Sequence, residues 1–131
     1  MASLQIHTGQ ICLDILDDQG NQRGVFKFNP NDVSVAKRVF ALQNTIQDKF
    51  KEYEERYKDV QNEQDGITLL DETIQYFRGV IDEIFGAGTS QILFGDCNTF
   101  SMFEDFFNGI TPYYTKASKD RVQKYKKATK K

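Results

Sequence analysis

The stretch that decides the fold is residues 67–85, which read ITLLDETIQYFRGVIDEIF. Its apolar side chains recur every three or four residues, which is the spacing of one face of an α-helix. A glycine, Gly86, stands directly after it, where a helix C-cap belongs. The apolar positions are Ile67, Leu70, Ile74, Phe77, Ile81 and Ile84. The pattern predicts an amphipathic helix that ends at Phe85.

A longer apolar stripe precedes this helix. Asp32 or Ser34 can cap a helix of about 28 residues, or about 42 Å at 1.5 Å per residue. Residues 61–66 interrupt the stripe, and Asp65 can cap the helix that follows. The apolar positions are Val35, Val39, Leu42, Ile46, Phe50, Tyr53, Tyr57 and Val60. The two stripes predict an antiparallel αα-hairpin, in which residues 47–64 are polar apart from a narrow aromatic seam.

The N-terminal part of the chain has the composition of strands. Residues 10–17 and 24–29 are short and rich in β-forming residues, and turn residues fill positions 18–23 between them. This arrangement predicts a β-hairpin. Phe26 and Phe28 would then face away from Val25, Lys27 and Asn29, so that one side of the hairpin can pack on helices.

Beyond Phe85 the chain becomes Gly-rich and then aromatic. Residues 86–98 are predicted to form a compact connector with one helical turn at Thr89–Phe94, and Asn98 or Thr99 can cap a third helix. Gly109 and Pro112 are expected to interrupt or end that helix. The predicted fold class is therefore α+β: mainly α with a small N-terminal β-hairpin, a long αα-hairpin and an aromatic-rich third helix.

Charge divides the chain in two. Residues 116–131 carry eight basic residues and one acidic residue, a net charge of +7, whereas residues 1–115 sum to −9. We expect one helical domain over residues 1–115 and a basic tail over residues 116–131, either a frayed helix or a flexible segment. The tail could bind phosphates of a nucleic acid, but the acidic body would repel them, which makes nucleic acid the weaker alternative.

The reactive residues in the sequence do not form the pattern of a known catalytic or metal site. His7 is the only histidine, and Cys12 and Cys97 fit no metal-ligand spacing. The glycines at 86 and 88 lack the lysine of a phosphate loop. We therefore expect no catalytic, metal or cofactor site and no enzymatic activity. Neither a signal peptide nor the roughly 18 apolar residues of a membrane span is visible, so a cytoplasmic protein that does not enter the membrane is expected.

Residues 81–96, IDEIFGAGTSQILFGD, carry a resemblance to a known family. They resemble a signature of the tail assembly chaperones of long-tailed bacteriophages and prophages, particularly those of Gram-positive hosts. That signature is an acidic helix end, Phe-Gly-x-Gly-Thr-Ala/Ser, an aliphatic pair, and Phe-Gly-Asp before an aromatic helix. The order of elements over residues 10–110 is similar as well. The connector positions that carry the likeness are Phe85, Gly86, Gly88, Thr89, Phe94, Gly95 and Asp96.

The resemblance implies a function. Such chaperones bind the hydrophobic tape-measure protein in the bacterial host cytoplasm and keep it soluble while the tail tube polymerises, so the tail tube protein is a second candidate partner. Many are also made in a longer, frameshifted form. The paired lysines at 126–127 and 130–131 would be encoded by slippery codons or would simply be part of a Lys-rich terminus.

The aromatic segment supplies the candidate contacts for a partner. These are Phe100, Phe103, Phe106 and Phe107, with burial in the core as the alternative for most of them. Two other functions stay open: a permanent structural or connector protein of the virion, and a nucleic-acid-binding module that uses the basic tail. Homo-oligomerisation also stays open.

Overall fold

The computed structural model describes residues 2–129, apart from the side chains of residue 125 and residues 127–129. Lys130 and Lys131, the second predicted slippery-codon pair, lie outside the described residues. The elements follow the order β1 (Ile11–Leu16), β2 (Gln22–Phe28), α1 (Val33–Tyr57), α2 (Glu63–Phe85), α3 (Thr89–Phe94) and α4 (Ser101–Thr129). A mainly α fold with a small N-terminal β-hairpin is confirmed.

The β-hairpin packs one face on the helices. β1 and β2 pair antiparallel, with Ile11 opposite Phe28 and Leu13 opposite Phe26. The Asp17 carboxylate closes the turn by accepting from two backbone N–H groups beyond it. Phe26 and Phe28 are buried, whereas Val25 on the other face is exposed. The predicted facing of the two phenylalanines is thereby confirmed.

The αα-hairpin of α1 and α2 forms as predicted, with one different cap. Asp32 caps α1 by accepting from the backbone N–H groups of Ser34 and Val35. The prediction that Asp65 caps α2 is wrong, because α2 begins at Glu63 and the Asn62 side chain accepts from the N–H of Asp65. Both residues can cap a helix, but Asn62 is the one that lies outside the helical dihedral range, where a cap belongs.

Helix α4 does not stop where the sequence suggests. It runs unbroken from Ser101 to Thr129 with Pro112 inside it, so the prediction that Gly109 and Pro112 interrupt or end it is wrong. Pro112 removes only the bond to the carbonyl of Asn108, which is exposed and can reach water. On either side of Pro112, Ile110 and Tyr114 are buried in the core, which holds the helix together.

The same helix crosses the expected domain boundary. Residues 116–129 continue α4 rather than starting a separate unit, and Ala117 is buried, beyond the expected boundary at residue 115. α4 lies antiparallel to α1, because Phe100 meets Phe50 at one end and Tyr114 meets Phe40 at the other. The core thus lies where α1, α2 and α4 converge beneath the β-hairpin.

Candidate functional site

The connector between α2 and α4 takes its shape from three glycines. Gly86, the C-cap of α2, has a φ of 118°, and Gly88, which precedes α3, has a φ of 87°. Gly95, the C-cap of α3, has a φ of 61°. Residues with a Cβ rarely adopt such angles. The predictions of a C-cap at Gly86 and of a helical turn at Thr89–Phe94 are confirmed.

Asp82 holds the start of α3. One carboxylate oxygen accepts from the backbone N–H of Ser90 at 2.7 Å, and the other accepts from the Ser90 hydroxyl at 3.2 Å. The acidic residue near the end of α2 therefore satisfies an N–H group that the short helix α3 leaves without an internal partner. This contact fixes the direction in which the chain leaves Gly88.

Arg78, one turn before Asp82 on α2, holds the other end of the connector. Its Nη2 donates to the carbonyl oxygens of Gly95 at 2.9 Å and Cys97 at 2.6 Å, and its guanidinium lies over the ring of Phe94. Only 8% of Arg78 is exposed. Sequence reasoning missed this residue, because an arginine within an amphipathic helix usually faces water.

The connector residues are therefore structural. Phe94 is buried among the rings of α4, half-buried Phe85 packs edge-on against Phe26 and Phe106, and the Asp96 carboxylate accepts from Gln91. Thr89 opens α3 and is half-buried. Together they set the position from which α4 starts, and with it the position of the aromatic rings that α4 carries.

Most of the aromatic candidates for partner contact lie in the core. Phe103 is 1% exposed, and Phe106 and Phe107 are also buried. Phe103 packs edge-on against Phe77 of α2. A folded partner cannot lie across such rings, so the three are corrected from contact residues to core residues. Their burial follows from the way α4 faces α2 and the β-hairpin, which periodicity alone does not reveal.

Phe100 is the exception, because it is half-buried at the edge of a groove between α1 and α4. The floor of this α1–α4 groove is apolar. The groove has a volume of about 950 Å³. At one end the Phe50 and Phe100 rings lie 4.9 Å apart. At the other end the Gln43 amide donates to the Thr111 hydroxyl at 2.8 Å. The apolar lining consists of Ile46, Phe50, Phe100, Phe103, Phe107 and Pro112.

The rim of the groove is polar and carries both signs of charge. Lys51 and Glu54 lie on the α1 side, and Glu104 lies on the α4 side. Phe50 remains 37% exposed, so a large part of its ring faces water. A long apolar depression with a polar rim is the usual form of a groove that takes an amphipathic helix.

The second half of α4 is basic on its solvent side. Lys116 and Lys119 are exposed there, whereas Ala117 faces the core. Near this point burial, together with the charge of Asp32, raises the pKa of Tyr114 to about 12. The Tyr114 hydroxyl is buried and has no hydrogen-bond partner within residues 2–129. It is therefore a neutral, inward-facing group and not part of a surface site.

Two further observations concern metal binding and membrane insertion. Over residues 2–129, no three His, Cys, Asp or Glu side chains lie close enough together to hold a metal ion. Within the same residues, none of the helices combines the length and apolarity needed to cross a membrane.

Comparison with known proteins gives a family but no function. Residues 22–131 match a family of unknown function, DUF6673. This match covers β2, all four helices, the connector and the groove. No curated protein and no solved structure shows a significant match to the chain.

Proposed function

The chain belongs to the DUF6673 family of unknown function, and we propose that it is a phage tail assembly chaperone that binds the tape-measure protein. In this proposal it acts in the cytoplasm of the bacterial host, without catalysis or cofactor, and holds a hydrophobic helical client in solution. The α1–α4 groove is the observation that carries the proposal. The likeness of the connector to tail assembly chaperones supports the tape-measure protein as the client.

The dimensions of the groove suit a helix. Its lining on α1 runs from Gln43 to Glu54, eleven residues apart. At 1.5 Å per residue this is about 16 Å, or about three helical turns. A client helix with apolar residues at positions i, i+3 or i+4, and i+7 would present them to Ile46, Phe50 and Phe100.

The surface around the groove suits a chaperone. The distal half of α1 and its C-cap expose charged side chains of both signs, including Glu52, Glu55 and the C-cap Lys58, and some of them pair with one another. A client helix seated in the groove would cover apolar surface, while these charges would keep the complex hydrated. The body of the protein would therefore act as a polar cover over an apolar segment.

The test is co-expression with the tape-measure protein encoded in the same genome. We expect the chaperone to raise the soluble fraction of the tape-measure protein and to co-purify with it. Phe50→Asp should abolish both effects, because it places a charge in the groove. Ile67→Asp is the matched control, since Ile67 is an exposed apolar residue on α2 that does not line the groove.

The outcomes separate the groove from other surfaces. Loss of rescue with Phe50→Asp but not with Ile67→Asp supports the groove, provided that circular dichroism shows both variants folded. If the Phe50→Asp variant still raises the soluble fraction of the tape-measure protein, the client binds at another surface of the chain. Absence of any complex with the wild-type chain contradicts the proposal itself.

Nucleic-acid binding is a second candidate, favoured by the exposed lysines of α4. Lys116 and Lys119 lie on the solvent side of a continuous helix, and a helix can follow a phosphate backbone. This candidate predicts salt-sensitive binding to double-stranded DNA that Lys116→Glu with Lys119→Glu removes. Tight binding of DNA together with failure of the co-expression test would favour it over the chaperone.

A further inference from the structure

The first residues of the chain form an exposed apolar segment. Residues 2–10, the N-terminal arm, are neither helix nor strand. Leu4 is 87% exposed and Ile6 is 74% exposed, which are the highest exposures among the large hydrophobic residues described. Apolar side chains this exposed are unfavourable in water, and two of them in one short segment indicate a surface that a partner covers.

The arm has the sequence of a strand with one apolar face. Leu4, Ile6 and Thr8 alternate with Ser3, Gln5 and His7. This period of two is typical of a strand that is half-buried. Yet β1 and β2 form a two-stranded sheet within residues 2–129, and the arm is not part of it.

Within the described residues, no strand pairs with the outer edge of β1. It borders a cleft of about 620 Å³ between β1 and α4, the β1–α4 cleft, whose lining includes Leu13, Ile15, Met102 and Phe106. Leu13 and Ile15 pack against the core but stay half-buried. An unpaired strand edge offers N–H and C=O groups to an added strand.

The arm does not reach this edge in its own chain. The Asn29 side chain donates to the carbonyl oxygen of Thr8 at 2.9 Å, and Gly9 lies tight against the Asn31 side chain. Both contacts tie Thr8 and Gly9 to the residues that follow β2, and within the described residues the arm pairs with no strand. A second copy of the chain, by contrast, can bring its arm to that edge without breaking either contact.

We propose that the chain forms a symmetric dimer in which each N-terminal arm adds a third strand to the outer edge of β1 of the other copy. Leu4 and Ile6 face the β1–α4 cleft, where they cover Leu13 and Ile15. Because each copy gives one arm and receives one, the contact closes with twofold symmetry and needs no other partner.

Two details of the arm fit this exchange. Gly9 has a φ of 94°, which breaks the strand alternation between the arm and β1 and so lets the apolar face of the arm turn independently. The charged residues that line the cleft are three acidic ones, Asp14, Asp18 and Asp105, and one basic one, Arg23, and residues 2–10 contain no acidic residue. An acidic strand would be repelled there, whereas this one is not.

The experiment is a comparison of masses in solution. Sedimentation equilibrium of the full chain should give a concentration-dependent dimer of twice 15.1 kDa. Leu4→Ser with Ile6→Ser should return the mass to that of one chain. Gln5→Ser with His7→Ser is the matched control, because it changes the other face of the same strand and should leave the dimer intact.

Hydrogen exchange tests the location of the contact. In the dimer, backbone N–H groups of residues 3–8 and of the outer edge of β1 should be protected, and this protection should be lost in Leu4→Ser with Ile6→Ser. A monomer at high micromolar concentration, or a dimer that survives the double substitution, would overturn the proposal. Phe50→Asp should leave the dimer unchanged, which keeps this result separate from that of the groove.

Discussion

The guanidinium of Arg78 lies 2.6 Å from the backbone oxygen of Cys97, although 19 residues separate the two in sequence. The same nitrogen also donates to the carbonyl oxygen of Gly95. Two carbonyl groups at the end of α3 thus meet one buried cation on α2. Because α4 begins only a few residues later, this contact sets the point from which the aromatic helix crosses the core.

Removing this contact should cost stability. Arg78→Met keeps much of the side-chain volume but leaves the carbonyls of Gly95 and Cys97 without their donor. Hydrogen bonds to charged groups contribute about 1.5–3 kcal/mol each, so we expect the free energy of unfolding to fall by about 3 kcal/mol. Urea denaturation measures the change. The control, Arg56→Met, removes an exposed ion pair with Glu72 and should cost less than about 1 kcal/mol.

Alanine substitutions at two glycines should change the stability of the protein in opposite directions. Gly86 has a φ of 118°, so Gly86→Ala should lower the free energy of unfolding by about 1–3 kcal/mol. Gly79 lies inside α2, and a Cβ there would meet no other group within 4 Å. Gly79→Ala should therefore raise the free energy of unfolding by about 0.5–1 kcal/mol. Equal effects in a thermal melt would contradict the assigned role of Gly86.

The Tyr114 hydroxyl should make the protein sensitive to alkali. Its pKa is raised from 10.0 to about 12 in the folded protein, so the unfolded chain loses this proton first as pH rises. Below pH 10 the hydroxyl is neutral in both the folded and the unfolded chain, and the free energy of unfolding should fall between about pH 10 and pH 12 as the unfolded chain ionises. Tyr114→Phe removes this part of the fall, which we expect to be roughly 2 kcal/mol.

The measurement for Tyr114 is the urea midpoint of wild type and Tyr114→Phe from pH 8 to pH 12. The variant should match or exceed the wild type at pH 8, because it removes a buried hydroxyl that has no hydrogen-bond partner among the described residues. The gap should then widen as the pH rises. A constant difference across this range would show that Tyr114 does not titrate as its burial requires.

Alanine substitutions at Phe103 and Phe50 should differ in their effect on stability, because Phe103 lies in the core and Phe50 lies in the groove. Phe103→Ala removes a ring that is 1% exposed, so we expect the free energy of unfolding to fall by about 3–5 kcal/mol. Phe50→Ala removes a ring that is 37% exposed and should cost much less. If instead Phe50→Ala unfolds the protein and Phe103→Ala does not, the division between groove and core is reversed.

The parts of the fold that were predictable depend on neighbouring residues. The stripes of α1 and α2, the Asp32 cap, the C-cap at Gly86 and the facing of Phe26 follow from local periodicity and local backbone chemistry. Each of them needs information from only a few positions on either side.

Apart from the cap of α2, which is Asn62 and not Asp65, the errors concern contacts between distant parts of the chain. Whether Phe107 is core or surface depends on where α1 crosses α4, and Pro112 is tolerated because Ile110 and Tyr114 are buried around it. The role of Arg78 depends on the return of the chain at Cys97. No local sequence pattern specifies such contacts between distant residues. Asp82, four residues before Gly86, was a sequence signal for the contact with Ser90 that holds the start of α3.

The packing of the β-hairpin has a consequence for the order of folding. Arg23 meets its backbone acceptor on Leu93 only 70 residues later, and Phe26 and Phe28 pack on rings of α4 that lie later still. During synthesis the hairpin therefore leaves the ribosome long before the residues that bury it, whereas α1 and α2 can pair as soon as both are made. The N-terminal hairpin, although first in sequence, therefore cannot complete its packing until α4 has been made.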